Sequence, residues 1–581
     1  MSMPLLGGSG PGGALWEDGG GPTGPAGWIA DRSGELVVDL QADGDTVDVV
    51  VVGAGFAGLS VLHQLRSRGF SARAFETGSD VGGTWYWNRY PGARCDVPSM
   101  EYSLGFSEEL QQEWQWTERY APQDEILRYI EHVADRFDLR RDISFDSRVV
   151  SATFGEADGR WTVVVEPVGD NGGEAVTVTA QFVVMATGCL SSANVPDFAG
   201  LDSFAGETHH TGQWPHGGVD FTGKRVAVIG TGSSGVQSIP IIAEQADELV
   251  VFQRTATYAV PAHNGPLDPE EQAAIKGDYA GLRAANRETV VGFGSRNPGN
   301  DTSALEVTAE ERLAQFERRW ATGGLQFLGA YNDLLLDPAA NELIAEFVRD
   351  KIRATVDDPA VAELLCPRTV IGCKRLCVDS GYYETFNRPN VRLVDVSGHP
   401  IDEITPEGIR AGDVTYEVDV IVFATGFDAM TGALARIDIT GRDGQTLGQA
   451  WAAGPRTLLG LAVAGFPNLF TVTGPGSPSV LTNMVVSIEH HAEWIADCVT
   501  RLREVGQETI EADPSAQEAW VAYVNAVASF TLYPGCNSWY LGANVPGKPR
   551  VFMPLIGFAP YAVQCADVAA DGYRGFVLGA G

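Results

Sequence analysis

Basic residues are scarce in this chain: 40 Lys and Arg stand against 75 Asp and Glu, a formal net charge of -35 over 581 residues. A surface of that sign repels phosphate backbones and anionic lipid headgroups, so neither nucleic acid nor a membrane is expected as a partner. Cysteine is sparse as well. The eight, Cys95, Cys189, Cys366, Cys373, Cys377, Cys498, Cys536 and Cys565, include no CxxC pair and no histidine at metal-ligand spacing. No metal is expected from them, and all eight read as reduced thiols of a cytoplasmic protein. An unbroken apolar run long enough to span a bilayer is also missing. Val47–Leu65 comes nearest, but Gly53, Gly55, Gly58, His63 and Gln64 interrupt it, which suits a buried strand followed by a helix. The first 45 residues lack the basic start and apolar stretch of a signal peptide, and their Gly, Pro and acidic content predicts a mobile extension over residues 1–45. Nothing in the sequence points to an obligatory protein partner.

What is present begins with length, enough for roughly three or four domain-sized units. Asp48 to Val52 is a β-branched run without polar alternation, as expected of a parallel strand covered on both faces. A GxGxxG turn follows at once, with Gly53, Gly55 and Gly58 framing Phe56 and Ala57, and leads into the apolar-periodic segment Leu59–Leu65. Such a turn brings backbone amides at a helix N-terminus up to a pyrophosphate. About twenty residues on, a second apolar strand ends in Glu76, placed to accept from a ribose hydroxyl, which favours FAD or NAD over a 2′-phosphorylated cofactor.

The arrangement repeats. Arg225–Ile229 precedes Gly230, Gly232 and Gly235, again in GxGxxG spacing around Thr231, Ser233 and Ser234, with Gln237 just inside the following helix. The next strand, Glu248–Phe252, runs not into an acid but into Gln253-Arg254-Thr255, which sets a guanidinium where a 2′-phosphate needs it. The second nucleotide is therefore expected to be NADP(H), and the pair of sites describes a flavoprotein reduced by a nicotinamide.

Two apolar segments, Val183–Met185 and Ile421–Phe423, each run into Ala-Thr-Gly, at Ala186-Thr187-Gly188 and Ala424-Thr425-Gly426. Taken alone each is a buried strand and its turn; their positions before and after the NADP unit suggest crossings between nucleotide domains. Thr308-Ala309-Glu310-Glu311 is a capping box ahead of Leu313, Phe316 and Trp320, within a charged, helix-forming stretch. The expected fold is α/β: two Rossmann-like dinucleotide-binding domains, for FAD and for NADP, with a helical insertion. The FAD domain takes residues 46–190 and 426–581, the NADP domain 191–267 and 369–425, and the insertion 268–368.

Longer motifs narrow the class. Phe204, Gly206, His210, Trp214 and Pro215 spell FxGxxxHxxxWP, and Gly82, Gly83, Trp85, Tyr90, Pro91, Gly92 and Asp96 spell GGxWxxxxYPGxxxD. By these the chain resembles the type I Baeyer–Villiger monooxygenases from about Asp48 onward. The resemblance implies that NADPH reduces FAD, that O2 then forms a C4a-peroxyflavin, and that this attacks a small-molecule ketone to give an ester or lactone. It implies that the fingerprint around His210 is a linker coupling the nucleotide domains rather than a site of chemistry. Gly372-Cys373-Lys374-Arg375 is similar to the family's Gly-x-Lys-Arg segment, so Arg375 is implied as the catalytic residue that stabilises the peroxyflavin anion, with Asp96 positioning it. Lys374, Arg254 and Thr255 are implied to hold the 2′-phosphate. Further implied cofactor contacts are Gly83, Thr84, Trp85, Tyr102, Val149, Met484 and Trp539, and the implied substrate pocket is Ser479, Val480, Leu481 and Met484. Cys373 and Cys189 stand where the relatives usually carry other residues, and Gly557-Phe558 stands for their Gly-Gly-Phe.

Three other classes share parts of this pattern. A flavin disulfide reductase needs a cysteine pair after the first glycine motif, where only Cys95 is near. An N-oxygenating flavin monooxygenase shares the two-nucleotide plan but lacks the Trp-Pro found here as Trp214-Pro215. A redox sensor without turnover would have no use for Arg375 or Asp96.

Overall fold

The computed structural model describes residues 44–169, 173–550 and 556–579. Nearly all of the expected N-terminal extension lies outside the described residues. Strands β1 (Asp45–Val52), β2 (Ala72–Phe75), β3 (Ile143–Ser144), β4 (Ser147–Gly155), β5 (Arg160–Pro167) and β6 (Val176–Met185) belong to an eight-stranded sheet. Asp438–Thr440 lies on β4, the order runs on through β5, β6, β1 and β2 to β3, and Leu469–Thr471 pairs with β6. The β6-β1-β2-β3 pairings are parallel, while β4-β5-β6 is an antiparallel meander. A second sheet, parallel throughout, contains β7 (Glu207–His210), β8 (Arg225–Ile229) and β9 (Glu248–Gln253), ordered Val391–Asp395, β9, β8, Val420–Phe423, β7.

The apolar runs Val49–Val52 of β1 and Val226–Ile229 of β8 follow from what covers them. Val49 and Val51 pack into one core and Val50 and Val52 into another, because successive side chains leave opposite faces of a strand. In β8 the same division puts Val226 and Val228 against one core and Ala227 and Ile229 against another. Full burial of each valine is worth roughly 1.5–3 kcal/mol, so a charge at Val50 or Val228 would strike the centre of a sheet. After β1 the chain turns at Gly53 and enters the helix Phe56–Ser67, as the interrupting glycines predict. Among the described residues no helix is long and apolar enough to cross a membrane.

Between β9 and the strand Val391–Asp395 lie helices Pro269–Gly277, Tyr279–Arg287, Ala309–Thr322, Pro338–Thr355 and Pro359–Leu365. Three of them start at an Asp-Pro step, where Asp268, Asp337 or Asp358 accepts from the first free amides and proline takes the first turn. The capping box forms as read: the Glu311 amide donates to Thr308 Oγ1 at 3.3 Å, and the Thr308 amide donates to Glu311 Oε2 at 3.0 Å. Of the apolar residues that follow, Phe316 is buried and Trp320 partly so, whereas Leu313 is 53% exposed.

Two expectations need correction. The fingerprint segment is not wholly a linker, since Glu207–His210 is the edge strand β7, pairing in parallel with Val420–Phe423. Nor are all eight cysteines reduced. Cys373 and Cys536 are bonded across 163 residues of sequence, with Cα atoms 5.7 Å apart, a contact that no local spacing could announce. The other six are free and buried.

Candidate functional site

Both glycine turns open on one cavity of about 1120 Å3, larger than the roughly 300–1,000 Å3 of an ordinary single-ligand site. The two turns are built alike. A Cβ on Gly53, at φ +106°, would lie 2.7 Å from the Ala186 carbonyl oxygen, and one on Gly230, at φ +111°, 2.5 Å from that of Ala424. The Ala-Thr-Gly turns are thus the walls against which each glycine turn closes. Gly58 and Gly235 lie too near the carbonyls of Gly53 and Gly230 to carry a side chain, and this packs each helix tightly under its turn.

The middle glycines differ. Gly55 faces Gly83, whose Cα would be 3.2 Å from an added Cβ, so the Gly82-Gly83 turn rests directly on the first cradle. Gly232 has open space before it. At the first cradle Phe56, Ala57, Gly83, Thr84, Trp85, Tyr102, Val149 and Met484 line the cavity with Gly53, Gly55 and Glu76. Trp85 Nε1 donates to the Tyr102 hydroxyl at 3.3 Å. Glu76 is 6% exposed and already accepts from the Ala54 and Gly78 amides, each at 2.8 Å, which ties the end of β2 to the glycine turn.

At the second cradle the lining includes Thr231, Gly232, Ser233, Ser234, Gln237, Arg254, Thr255 and Lys374. Thr231 Oγ1 donates to the Thr255 carbonyl at 3.0 Å. Arg254 and Lys374 form no ion pair among the described residues. Burial, and then repulsion from Arg254, holds the Lys374 ammonium below its usual pKa. Two cations without a counter-ion at a helix N-terminus are a receptor for an anion.

The Tyr90-Pro91-Gly92 turn joins the cradles. Tyr90 donates to Gln237 Oε1 at 2.8 Å, and Gln237 Nε2 donates to the Arg94 carbonyl at 3.1 Å. Four residues beyond Gly92, Asp96 meets Arg375. The guanidinium grips the carboxylate through Nε and Nη2, the latter at 2.7 Å from Oδ1, while Nη1 donates to the Val480 carbonyl at 2.6 Å. Burial works against the charge on Arg375, but attraction and hydrogen bonding to Asp96 overcome it and raise the pKa above the ordinary arginine value. The group is permanently cationic.

Support for Arg375 comes from the helical insertion. Asn341, 3% exposed, donates to the Ile371 carbonyl at 3.0 Å and accepts from the Ile371 amide at 3.1 Å. Gly372, at φ +88°, then turns the chain where a Cβ would lie 2.5 Å from the Leu335 side chain.

The remaining expected residues are placed variously. Val480, Met484 and Trp539 line the cavity; Ser479 and Leu481 do not. Ser479 is fully buried at φ +44°, beside Met430 at φ +68°, so this wall of the pocket holds strained backbone. His210 accepts from the Gly212 amide through Nδ1 at 2.9 Å and contacts Thr425 Oγ1 through Nε2 at 3.3 Å; burial lowers its pKa. Phe204 packs on the second sheet, Gly206 touches the Asp419 backbone, and the buried Trp214 donates its amide to the Trp87 carbonyl at 3.3 Å, with Pro215 next to it. None of these five lines the cavity.

Sequence reading missed Tyr540, whose buried hydroxyl lies beside Arg375; burial pushes its pKa up to about 12 although Arg375 pulls it back. It also missed Asn341, whose role depends on a contact thirty residues away. Among the described residues no group of three or more His, Cys, Asp and Glu could hold a metal ion.

Two dinucleotide cradles on one cavity, one bearing an acid and the other a pair of cations, define a flavoprotein that draws on a nicotinamide. The family described as "Flavin-binding monooxygenase-like" matches residues 46–264. Acetone monooxygenase (methyl acetate-forming) of Gordonia sp. is 42% identical over 92% of this chain and 99% of its own. A phenazine N-monooxygenase of Lysobacter antibioticus is 40% identical over 93% and 98%. The solved structure of an oxidized steroid monooxygenase bound to NADP superposes with a TM-score of 0.87 at 54% identity, covering 92% of this chain and all of that one. The chain belongs to the Baeyer–Villiger monooxygenases, FAD- and NADPH-dependent enzymes within that flavin-binding family.

Proposed function

We propose that this protein inserts one oxygen atom of O2 beside the carbonyl carbon of a small-molecule ketone, with Arg375 as the catalytic residue and Asp96 as the residue that positions it. The observation that carries the reading is the two-point grip of Asp96 on Arg375 at the cavity shared by both cradles. A guanidinium has five N–H donors, of which three are engaged by Asp96 and Val480. Two are left for an oxyanion.

The residues present fit the two cofactors. The first cradle offers helix N-terminal amides, space that only glycine leaves open, and the Glu76 carboxylate; we assign it to FAD, with Gly53, Gly55, Phe56, Ala57 and Gly58 at the pyrophosphate. The second offers Arg254, Lys374 and Thr255 to the 2′-phosphate of NADPH, beside the amides that follow Gly232. When bound, FAD accepts the hydride and supplies the oxygen-transfer chemistry. Arg375 holds positive charge where negative charge builds on the reacting oxygens, and it does so inside protein, where its field is little screened. Asp96 fixes the guanidinium plane; Val480 fixes its edge. Trp539 and Met484 line the cavity, with Tyr540 buried beside Arg375. The net charge of -35 suits a cytoplasmic enzyme without nucleic-acid or membrane partners.

The test is a panel of aliphatic, cyclic, aryl and steroidal ketones with NADPH and O2, read by mass spectrometry, with a parallel arm of heteroaromatic amines. Ester or lactone carrying one atom of labelled oxygen supports the proposal. N-oxides alone, with no ketone turned over, would replace it with N-oxygenation.

A further inference from the structure

The bond between Cys373 and Cys536 has a placement that the oxygenation chemistry does not explain. Cys373 immediately precedes Lys374 and Arg375. Cys536 stands three residues before Trp539 and four before Tyr540, so the bond ties the segment carrying the active-site cations to the segment that closes the cavity over them. Both sulfurs sit behind the cavity wall, at 6% and 5% exposure, in a cluster with Met430, Val480, Tyr533 and Tyr540.

The rest of the closing segment is held by a few polar contacts. Asn544 Nδ2 donates to the Phe427 carbonyl at 2.7 Å, Lys548 pairs with Asp428, and the Leu532 amide donates to the Leu335 carbonyl at 3.0 Å. Tyr540 also lies against Arg375, but these three contacts join the segment to Phe427, Asp428 and Leu335 and not to Lys374 or Arg375. The Cα separation of 5.7 Å lies in the usual range for a disulfide, and the glycine before Cys373 and the 3-10 turn Tyr533–Gly535 before Cys536 present the two side chains to each other.

We propose that Cys373 and Cys536 form a reversible dithiol–disulfide clasp, a modification site that locks the Trp539 segment onto the Lys374–Arg375 segment when oxidised and lets it lift when reduced. Hydrogen peroxide is the oxidant. One thiolate attacks the peroxide, taking an oxygen and releasing water. The second thiolate displaces that oxygen as a second water, so that two thiols and one peroxide give one disulfide and two waters. A dithiol reductant reverses the step by exchange and becomes a disulfide itself. In a reducing compartment the open dithiol is the resting form, and peroxide closes it.

The clasp does not depend on which ketone is turned over, so it is tested on the full-length protein without turnover. Protein treated with hydrogen peroxide, or with a phosphine reductant, is quenched in acid, blocked at free thiols and mapped by mass spectrometry. The expected result is a Cys373 peptide joined to a Cys536 peptide after peroxide, and two blocked thiols after reduction. Limited trypsin should then cut after the exposed Arg550 about tenfold faster in the reduced protein, because an untethered segment opens more often. Cys373→Ser and Cys536→Ser, each in turn, should cut at the reduced rate whether or not peroxide is added, so the inference does not hang on one variant's folding. Two blocked thiols after peroxide would overturn the proposal, as would a bond from either residue to Cys189, which lies in the same cluster. Equal cutting rates in both redox states would leave no clasp to speak of and would overturn it too.

Discussion

Replacing Arg375 should uncouple the two half-reactions. Alanine removes the three hydrogen bonds from Nε, Nη2 and Nη1 and leaves Asp96, whose side chain is 22% exposed, without its cation. An orphaned, largely buried carboxylate costs about 3–5 kcal/mol of stability, so a loss of product in Arg375→Ala alone would be ambiguous. The double variant Arg375→Met/Asp96→Asn removes both charges at similar volume and avoids that penalty. Loss of a preorganised donor to a developing oxyanion costs on the order of 10²–10³ in rate. Anaerobic stopped-flow should therefore show NADPH bleaching the flavin within about tenfold of wild type, while ester from an accepted ketone falls about a hundredfold or more. Lysine should rescue poorly: it keeps the charge but cannot reach both Asp96 oxygens and the Val480 carbonyl from one plane. Ester formed by the double variant at close to the wild-type rate would refute the reasoning and remove Arg375 from the chemistry.

Arg254→Ala and Lys374→Ala should each weaken NADPH roughly ten- to a hundredfold, at about 1.5–3 kcal/mol per charged hydrogen bond, with NADH almost untouched in steady-state kinetics; equal losses for both cofactors would place these cations elsewhere. Gly58→Ala should give protein that purifies without yellow colour, because its methyl group runs into the Gly53 carbonyl, whereas Gly235→Ala should stay yellow and lose NADP binding by calorimetry. The reverse pattern would exchange the two assignments. His490 is held neutral by burial and by repulsion from Arg287, its pKa lowered from 6.5 to about 4. The neutral ring is favoured by the fold, so its contribution is complete above pH 6.5 and is lost as pH falls toward 4, a span worth about 3 kcal/mol. Chemical unfolding between pH 7 and pH 4 should show that decline, and His490→Gln should flatten it; an unchanged slope in the variant would clear His490 of the effect.

The parts of the fold that read from sequence are those whose physics is local. The valine run of β1, the helix after Gly55 and the capping box at Thr308 all rest on residues a few positions apart. Arg254, read from its place after a strand, and Lys374, implied by the family resemblance, both line the cavity at the second cradle. Distance in the chain hid the rest. The Ala-Thr-Gly turns looked like ordinary strand ends until Ala186 and Ala424 were seen facing Gly53 and Gly230. The Cys373–Cys536 bond, the brace from Asn341 to Ile371 and the neighbourhood of Tyr540 are pairings made only by folding. The family resemblance implies Ser479 and Leu481 in the pocket, yet with a positive φ at Ser479 Val480 alone of the three lines the cavity.

The pairing of Asp96 with Arg375 also bears on how such a chain could be rebuilt. The acid descends from the stretch that rests on the first cradle, and its basic partner arrives 279 residues later, past the second cradle and the helical insertion. The cation and its anchor are thus inherited by different halves. Recombining this chain with a relative at the sheet boundaries would exchange coenzyme preference and the oxygenation centre in one event, and a chimera would work only where the imported arginine found the resident aspartate at the right height. Breakpoints that keep Asp96, Asn341 and Arg375 from one parent should survive far more often than those that divide them.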